Sequence, residues 1–308
     1  MEQLVAEAHE RYRRNTEGAT SDVYPALQRV PKHLFGICVA GISDTLTSAG
    51  DVETEFTIMS VAKPFLYALV CDQLGREELR RPIGVNATGL PFNSVAAVEQ
   101  SGDGRTNPMV NPGAIAVTSL VPGTDADVEW QFIRDGLSRF AGRELDLADE
   151  VYRSAAATNH RNQSVARLLQ GYGRLYSDPV EAVDLYTRQS CLAVTAHDLA
   201  VMAATLANGG VNPHTHTRVV DAESCHCTLA VMATAGLYET SRDWLYDIGL
   251  PGKSGIGGGV VTVSPGKGGI GTFAPLLDAA GNSVKGQLLA AFLSRRLGLD
   301  LFASEPEG

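Results

Sequence analysis

The feature of this sequence that most constrains its fold is the position of its strand-like segments, which lie near both ends of the chain. Residues 34–42 form an apolar run rich in β-branched residues and predict a buried strand, and residues 52–58 predict another strand that leads toward Ser60. The glycine-rich stretch after residue 254 contains two more candidates, 259–263 and 271–274. Since strands must pair, we expect both chain ends to contribute to one sheet, with the intervening residues inserted as helices.

The middle of the chain carries helical patterns. Apolar residues recur at helical spacing over 65–74, for example. We expect one domain spanning 1–308, with sheet-forming parts at about 1–60 and 250–308 and a helical insertion at about 64–210. The helices predicted outside 65–74 are 2–14, 92–99, 112–120, 125–141, 146–156, 162–175, 179–187, 195–208 and 283–297.

Charge and composition exclude several classes of protein. The net charge of -10 argues against nucleic-acid binding and against anionic membrane surfaces. No segment has the length and apolarity of a membrane span, and the first residues lack a signal-peptide pattern. The five cysteines are sparse and odd in number, which is typical of reduced thiols. These observations predict a cytoplasmic protein without nucleic-acid or membrane partners.

Ser60 and Lys63 are the first candidates for catalysis. Residues three apart in a helix lie on the same face, so a hydroxyl and an amine would be adjacent. A neutral lysine can take the proton of a serine nucleophile. Lysine is neutral at pH 7 only if burial or a nearby cation lowers its pKa, and Lys253 could be that cation. Pro64 suits only the first turn of a helix, so the helix should begin close to Ser60, with its backbone N–H near a developing oxyanion.

The Ser-x-x-Lys spacing alone is weak, because Ser264 and Lys267 repeat it in a glycine-rich stretch that no helix follows. The context of the first motif is stronger. A strand precedes it, an apolar helix follows it, and Lys253-Ser254-Gly255 lies on a candidate strand far downstream. Together these form the Ser-x-x-Lys plus Lys-Ser-Gly combination of serine acyl-transfer enzymes.

With these motifs the chain resembles the serine-dependent glutaminases, relatives of β-lactamases and penicillin-binding proteins. The resemblance runs from Tyr24 to the C-terminal helix, and its supporting segments are 91–94, 107–115, 206–210 and 249–259. It implies a β-lactamase-like α/β sandwich, with an antiparallel sheet from both chain ends and an inserted helical part. It also implies a small-molecule amide substrate, no cofactor or metal, and a homodimer or homotetramer.

The resemblance also implies roles for individual residues. Ser60 would be the nucleophile and Lys63 the general base, and a phenol, Tyr24 or Tyr238, would relay a proton to the leaving ammonia. The backbone N–H groups of Ser60 and Ile256 would form an oxyanion hole. The residues implied to hold or support the substrate are Asn111, Asn162, Tyr186, Lys253 and Ser254. Taken singly, buried tyrosines and asparagines more often satisfy hydrogen bonds in the core.

The sharpest departure from the family pattern is Ala155, where the resemblance implies a glutamate that binds the α-ammonium of the substrate. Asp103, Asp184 and Glu239 lie near site motifs in the sequence and could replace that acid. The other departures are Met59, Asn86-Ala87, Pro112 and Ser190-Cys191. They leave four alternatives to glutamine hydrolysis: an amide substrate without a free α-ammonium, acyl transfer, a non-catalytic binding protein, and a β-lactamase or esterase.

Two other patterns are discounted. Residues 266–271 fit G-x-G-x-x-G, but Pro275 follows too soon for the helix that a dinucleotide site requires. Residues 225–227, Cys-His-Cys, together with His214 and His216, match no standard zinc spacing.

Overall fold

The strands from the two chain ends pair in one sheet, as the sequence predicts. The computed structural model describes residues 1–304. Within them, a five-stranded antiparallel sheet has the order β2-β1-β7-β6-β5, and β3 pairs with β4 in a separate ribbon. The strands are β1 (Gly36–Gly41), β2 (Leu46–Gly50), β3 (Phe56–Thr57), β4 (Ala193–Val194), β5 (Gly252–Ser254), β6 (Gly259–Ser264) and β7 (Gly268–Phe273). Strand β1 joins the two ends of the chain, because Gly36 is in register with both Gly50 and Phe273.

Helices occupy most of the chain between β3 and β5, and three more lie nearer the two chain ends. They are α1 (Glu2–Tyr12), α2 (Pro25–Gln28), α3 (Ala62–Leu74), α4 (Arg76–Arg80), α5 (Ala96–Gln100), α6 (Asn111–Thr118), α7 (Ala126–Ala141), α8 (Asp149–Thr158), α9 (His160–Gly171), α10 (Pro179–Ser190), α11 (Ala196–Ala207), α12 (Ala222–Ala235), α13 (Ser241–Ile248) and α14 (Val284–Leu297). The fold is a β-lactamase-like α/β sandwich, in agreement with the prediction.

The two faces of the sheet are covered differently. Helix α11 lies against one face so closely that a Cβ on Gly271 would be 2.3 Å from the carbonyl oxygen of Ala196. Glycines of β7 are therefore needed for this contact. On the other face, α1 and α14 pack their apolar side chains, such as Val5 and Leu289, against Ile37 of β1.

Several boundaries differ from the prediction. The strand expected at 52–58 is reduced to β3, and β2 was not predicted because its residues alternate between partly buried and exposed positions and are small or polar. Helices α12 and α13 were also not predicted, so helical structure continues well past residue 210. The assignment of the whole chain to one domain stays a prediction.

Helix α3 is the element that positions the site. Every residue from Ala62 to Cys71 is buried, so this helix is fixed on all sides within the helical part. Strand β3 leads into a short 3-10 turn, Met59–Val61, and that turn leads directly into α3. Gly75 ends the helix with a φ of 81°, as its position after Leu74 predicts. Ser60 is thus held at the start of a helix whose first ten residues are all buried.

Candidate active site

Ser60 lies on a locally strained backbone. The preceding residue, Met59, has a φ of 48°, which is rare for a residue with a side chain and costs about 1–3 kcal/mol. Tyr238, a second predicted site residue, has a φ of 59°. Such strain persists only where the surrounding structure enforces it, and it tends to cluster at functional sites. Nothing in the sequence indicates it.

Lys63 is enclosed in the core and follows Ser60 by three residues, which is about one helical turn. Only 2% of it is exposed, and its Nζ donates a hydrogen bond of 2.7 Å to Oδ1 of Asn111. Burial lowers the pKa of Lys63 from its ordinary value of 10.5 to about 7. A large fraction of this lysine is therefore neutral at physiological pH, as a general base requires. Of the two causes left open from the sequence, burial and a nearby cation, burial is the one that lowers the pKa of Lys63.

Lys253 lies fully buried behind the site on β5. Its Nζ donates to the backbone oxygen of Ser254 at 2.6 Å and lies 4.0 Å from the centroid of the Tyr238 ring. Burial, and then the charge of Lys63, holds the pKa of Lys253 well below its ordinary value. The charge of Lys63 therefore disfavours the charged form of Lys253, and the ring of Tyr238 offers Lys253 a cation–π contact.

Asn111 connects Lys63 to the substrate pocket. Its Oδ1 accepts hydrogen bonds from Lys63 and, at 3.0 Å, from the hydroxyl of Tyr186. Its Nδ2 donates to Oδ1 of Asn162 at 3.0 Å. These contacts fix the orientation of the amide group, because its oxygen must face the lysine. Three residues that the sequence proposed for the substrate site are thereby brought together with the proposed base.

Asn159 extends this network and was missed by the sequence analysis. Its Oδ1 accepts from Nδ2 of Asn162 at 2.6 Å, and its own Nδ2 donates to Oγ1 of Thr187 at 2.6 Å. Because Asn159 and Asn162 are three residues apart at the start of α9, their spacing was a signal that they share a face.

The two phenols keep their protons at neutral pH. Burial raises the pKa of Tyr238 to about 12, although the neighbouring hydroxyls of Ser60 and Ser254 act in the opposite direction. Burial also raises the pKa of Tyr24 to about 12. The hydroxyl of Tyr238 donates to the backbone oxygen of Ser254 at 3.1 Å. A protonated phenol close to Ser60 can donate a proton to a leaving group.

Ser254 is turned away from the pocket by a residue that no sequence motif indicated. Its Oγ bonds to Oδ1 of the fully buried Asn282, whose Nδ2 donates to Oγ1 of Thr240 at 2.9 Å. Ser254 and Lys253 therefore support the wall of the site from behind, and neither side chain lines the pocket.

Two backbone N–H groups are available for an oxyanion. Within residues 1–304, no protein acceptor is paired with the N–H of Ser60 or with that of Ile256. The segment carrying Ile256 lies close to the segment carrying Ser60, since a Cβ on Gly255 would be 3.2 Å from the nitrogen of Ser60. A Cβ on Gly257 would be only 2.4 Å from the carbonyl oxygen of Thr57. Glycine is therefore required for this close approach.

Gly257→Ala is expected to reduce kcat by about 100-fold, because the added methyl must push the Ile256 segment away from Ser60 and small displacements of catalytic groups have effects of this size. The measurement is steady-state turnover together with the melting temperature. Gly171→Ala is the matched control, because a Cβ there meets nothing within 4 Å. Equal turnover in the two variants would show that the close approach is not needed for catalysis.

These groups surround a small cavity of about 120 Å³. Its lining includes seven of the predicted residues: Tyr24, Ser60, Asn111, Ala155, Asn162, Tyr186 and Ile256. The other four, Lys63, Tyr238, Lys253 and Ser254, lie immediately behind it. A larger groove of about 750 Å³, near residues 39–47 and 264–270, contains none of the predicted site residues.

In the part of the chain that the structure describes, no group of three or more His, Cys, Asp or Glu side chains could hold a metal ion. All five cysteines are buried and free. No helix among the described residues is long and apolar enough to cross a membrane.

Comparison with known proteins agrees with this geometry. A family model described as glutaminase matches residues 18–302. "Glutaminase 2" of Yersinia pestis is 67% identical over 303 residues, which cover 98% of this chain and 89% of the relative. "Glutaminase" of Mycobacterium marinum is 45% identical over 302 residues, covering 98% of this chain and 94% of the relative.

Solved structures give the same result. The structure of a probable glutaminase, ybaS, is 41% identical, with a TM-score of 0.97 and coverage of 98% of both chains. The structure of Mglu in its glutamate form is 34% identical, with a TM-score of 0.93, and the match covers 99% of this chain and 71% of that one. The predicted resemblance is confirmed: this chain belongs to the glutaminase family, and it is a hydrolase that acts on amide carbon–nitrogen bonds.

Proposed function

We propose that this protein hydrolyses the terminal carboxamide of glutamine, or of a compound with the same side chain, through an acyl-enzyme on Ser60. The observation that carries the proposal is the position of Ser60 at the wall of a small pocket, three residues before a buried lysine whose pKa is about 7. Serine becomes an effective nucleophile when an adjacent neutral base accepts its proton.

In the first half of the reaction, Lys63 takes the proton of Ser60 while Oγ attacks the carboxamide carbon. The negative charge moves to the amide oxygen, where the N–H groups of Ser60 and Ile256 donate to it. When the carbon–nitrogen bond breaks, the leaving nitrogen receives a proton from a phenol, Tyr238 or Tyr24, and departs as ammonia. The proton held by Lys63 then restores the phenol.

In the second half, water attacks the ester on Ser60. Lys63, neutral again, accepts a proton from that water, and the oxyanion forms in the same place as before. The carbon–oxygen bond to Ser60 breaks, and its Oγ recovers the proton. The product leaves as a carboxylic acid, which loses its remaining proton to the solvent and becomes a carboxylate. The same base and oxyanion donors serve both halves, and no metal or cofactor enters a step.

The substrate is held by the amide network. The hydroxyl of Tyr186 and the amides of Asn111 and Asn162 all line the cavity and are fixed by one another. Preorganised polar groups of this kind orient a polar substrate without reorganising during the reaction.

We further propose that the chain acts as a homodimer or homotetramer in the cytoplasm, which light scattering and cell fractionation can test.

The test of the proposed function is ammonia release from a panel of glutamine, asparagine, N-acyl-glutamines and simple primary amides. It is combined with labelling by a diazo-ketone analogue of glutamine, followed by peptide mapping. We expect ammonia from at least one compound of the panel that carries the side chain of glutamine, and a single label on Ser60. A labelled residue other than Ser60, or no ammonia from any amide, would overturn the proposal and favour a non-catalytic binding protein.

A further inference from the structure

The charge that the lining side chains bring to the cavity is positive. Among the side chains that line it, Arg161 is the only one with a full charge, and within residues 1–304 no aspartate or glutamate lines it. A pocket built in this way favours a negatively charged ligand group and offers no partner to a positive one.

The wall at Ala155 is apolar. Ala155 is 1% exposed and belongs to a cluster with Leu27, Met59 and Ile256. A positive group placed against this wall would lose water and gain no counter-ion, which is unfavourable.

The acids that the sequence analysis considered as replacements do not reach the cavity. Asp184 accepts from the hydroxyl of Tyr152 at 2.6 Å and pairs with Arg188 at 2.7 Å. Asp103 pairs with Arg105 and lines a different cavity. Glu239 is exposed and does not line the pocket. The possibility that one of these three acids binds a substrate ammonium is therefore not supported.

Arg161 is arranged to accept an anion. Its Nε donates to the backbone oxygen of Asn93 at 2.7 Å, which fixes the guanidinium at the edge of the pocket. Within the described residues, no carboxylate lies within salt-bridge distance of it. Its terminal nitrogens are thus free to form the paired hydrogen bonds that a carboxylate prefers.

From this charge arrangement we propose that the preferred substrates are ω-carboxamides that carry a carboxylate but no free α-ammonium. Glutamine with an acylated α-nitrogen and glutaramate, which is glutamine without its amino group, belong to this class. The inference rests on the proposed function, because it specifies which amide the Ser60 site takes. Arg161 would bind the carboxylate, and the apolar wall at Ala155 would face the uncharged α-position.

The experiment compares kcat/KM for glutamine, glutaramate and N-acetyl-glutamine. Glutamine and glutaramate differ only in the ammonium, so their ratio isolates its effect. We expect the parent to prefer glutaramate by about tenfold or more, given the usual cost of a desolvated, unpaired charge.

Ala155→Glu should shift the preference toward glutamine by a similar factor. Ala155→Gln introduces a side chain of the same size as glutamate but without its charge, so it should leave the preference unchanged. Arg161→Gln should raise KM for glutaramate.

A second measurement does not depend on whether Ala155→Glu folds. In the parent, the efficiency with glutamine relative to glutaramate should rise as pH passes the pKa of the glutamine amino group, because the amine becomes neutral. A parent that hydrolyses glutamine as efficiently as glutaramate, with a ratio independent of pH, would overturn this inference and leave the proposed function standing. No ammonia from any of the three compounds would instead reject the proposed function itself.

Discussion

Ser60→Ala is expected to lower amide hydrolysis by about 10⁴-fold or more, because a nucleophile and its base act as a unit whose loss typically costs several powers of ten. Ser60 is almost fully buried and makes no large contribution to apolar packing, so the variant should fold normally. Turnover is measured by ammonia release with the purified variant, and folding by its melting temperature.

The chain supplies a matched control for this substitution. Ser264 and Lys267 repeat the Ser-x-x-Lys spacing, but Ser264 ends β6 and Lys267 lies in the turn before β7, so no helix follows them. Ser264→Ala should keep the activity of the parent. If Ser60→Ala retained turnover within a few-fold of the parent while Ser264→Ala lost it, the assignment of the nucleophile to Ser60 would be wrong.

Lys63→Arg is expected to be inactive, with a loss of at least about 10³-fold, because arginine remains charged at every accessible pH and cannot accept the proton of Ser60. In the parent, only the neutral form of Lys63 is active. Its pKa is lowered to about 7, so kcat/KM should rise with pH through about 7 and then level off. An active arginine variant, or a limb near the ordinary lysine pKa of 10.5, would identify a different base.

The same lysine should make stability depend on pH. The folded protein holds Lys63 with a pKa below that of the unfolded chain, so between about 7 and 10.5 the unfolded chain binds more protons. Its contribution to the free energy of unfolding therefore rises with pH across this window. Lys63→Met, which fills a similar volume without a charge, should melt at a higher temperature than the parent at pH 7, and the difference should shrink toward pH 10. An unchanged difference across the window would contradict the lowered pKa.

Such a result would mean that Lys63 is retained at a cost in stability. Buried lysines are destabilising when their charge is unpaired, and two of them lie close together here, Lys63 and Lys253. The strained backbone at Met59 and Tyr238 adds to this cost. Strain and unfavourable burial in the same few residues are typical of active sites that trade stability for reactivity.

The sequence by itself determined the architecture and the chemistry of the central motif. The sheet from both chain ends could be predicted because its buried strands carry apolar runs. Helix α3 could be predicted because its apolar residues recur at helical spacing and Gly75 marks its end. The proximity of Ser60 and Lys63 follows from helical geometry, which needs no tertiary information. Strand β2 could not be predicted, because its partly exposed residues carry no hydrophobic pattern, and the pairing with β1 alone makes it a strand.

Only the tertiary structure decided which groups of distant segments meet. Asn282 and Arg161 have unremarkable positions in the sequence, and their importance comes from contacts with residues up to 68 positions away, as between Arg161 and Asn93. The absence of acids from the pocket lining, within the described residues, is likewise a property of packing. The lowered pKa of Lys63 arises from its complete burial. Hydrogen bonds and desolvation depend on which surfaces close on one another in three dimensions, so a linear pattern carries no direct record of them.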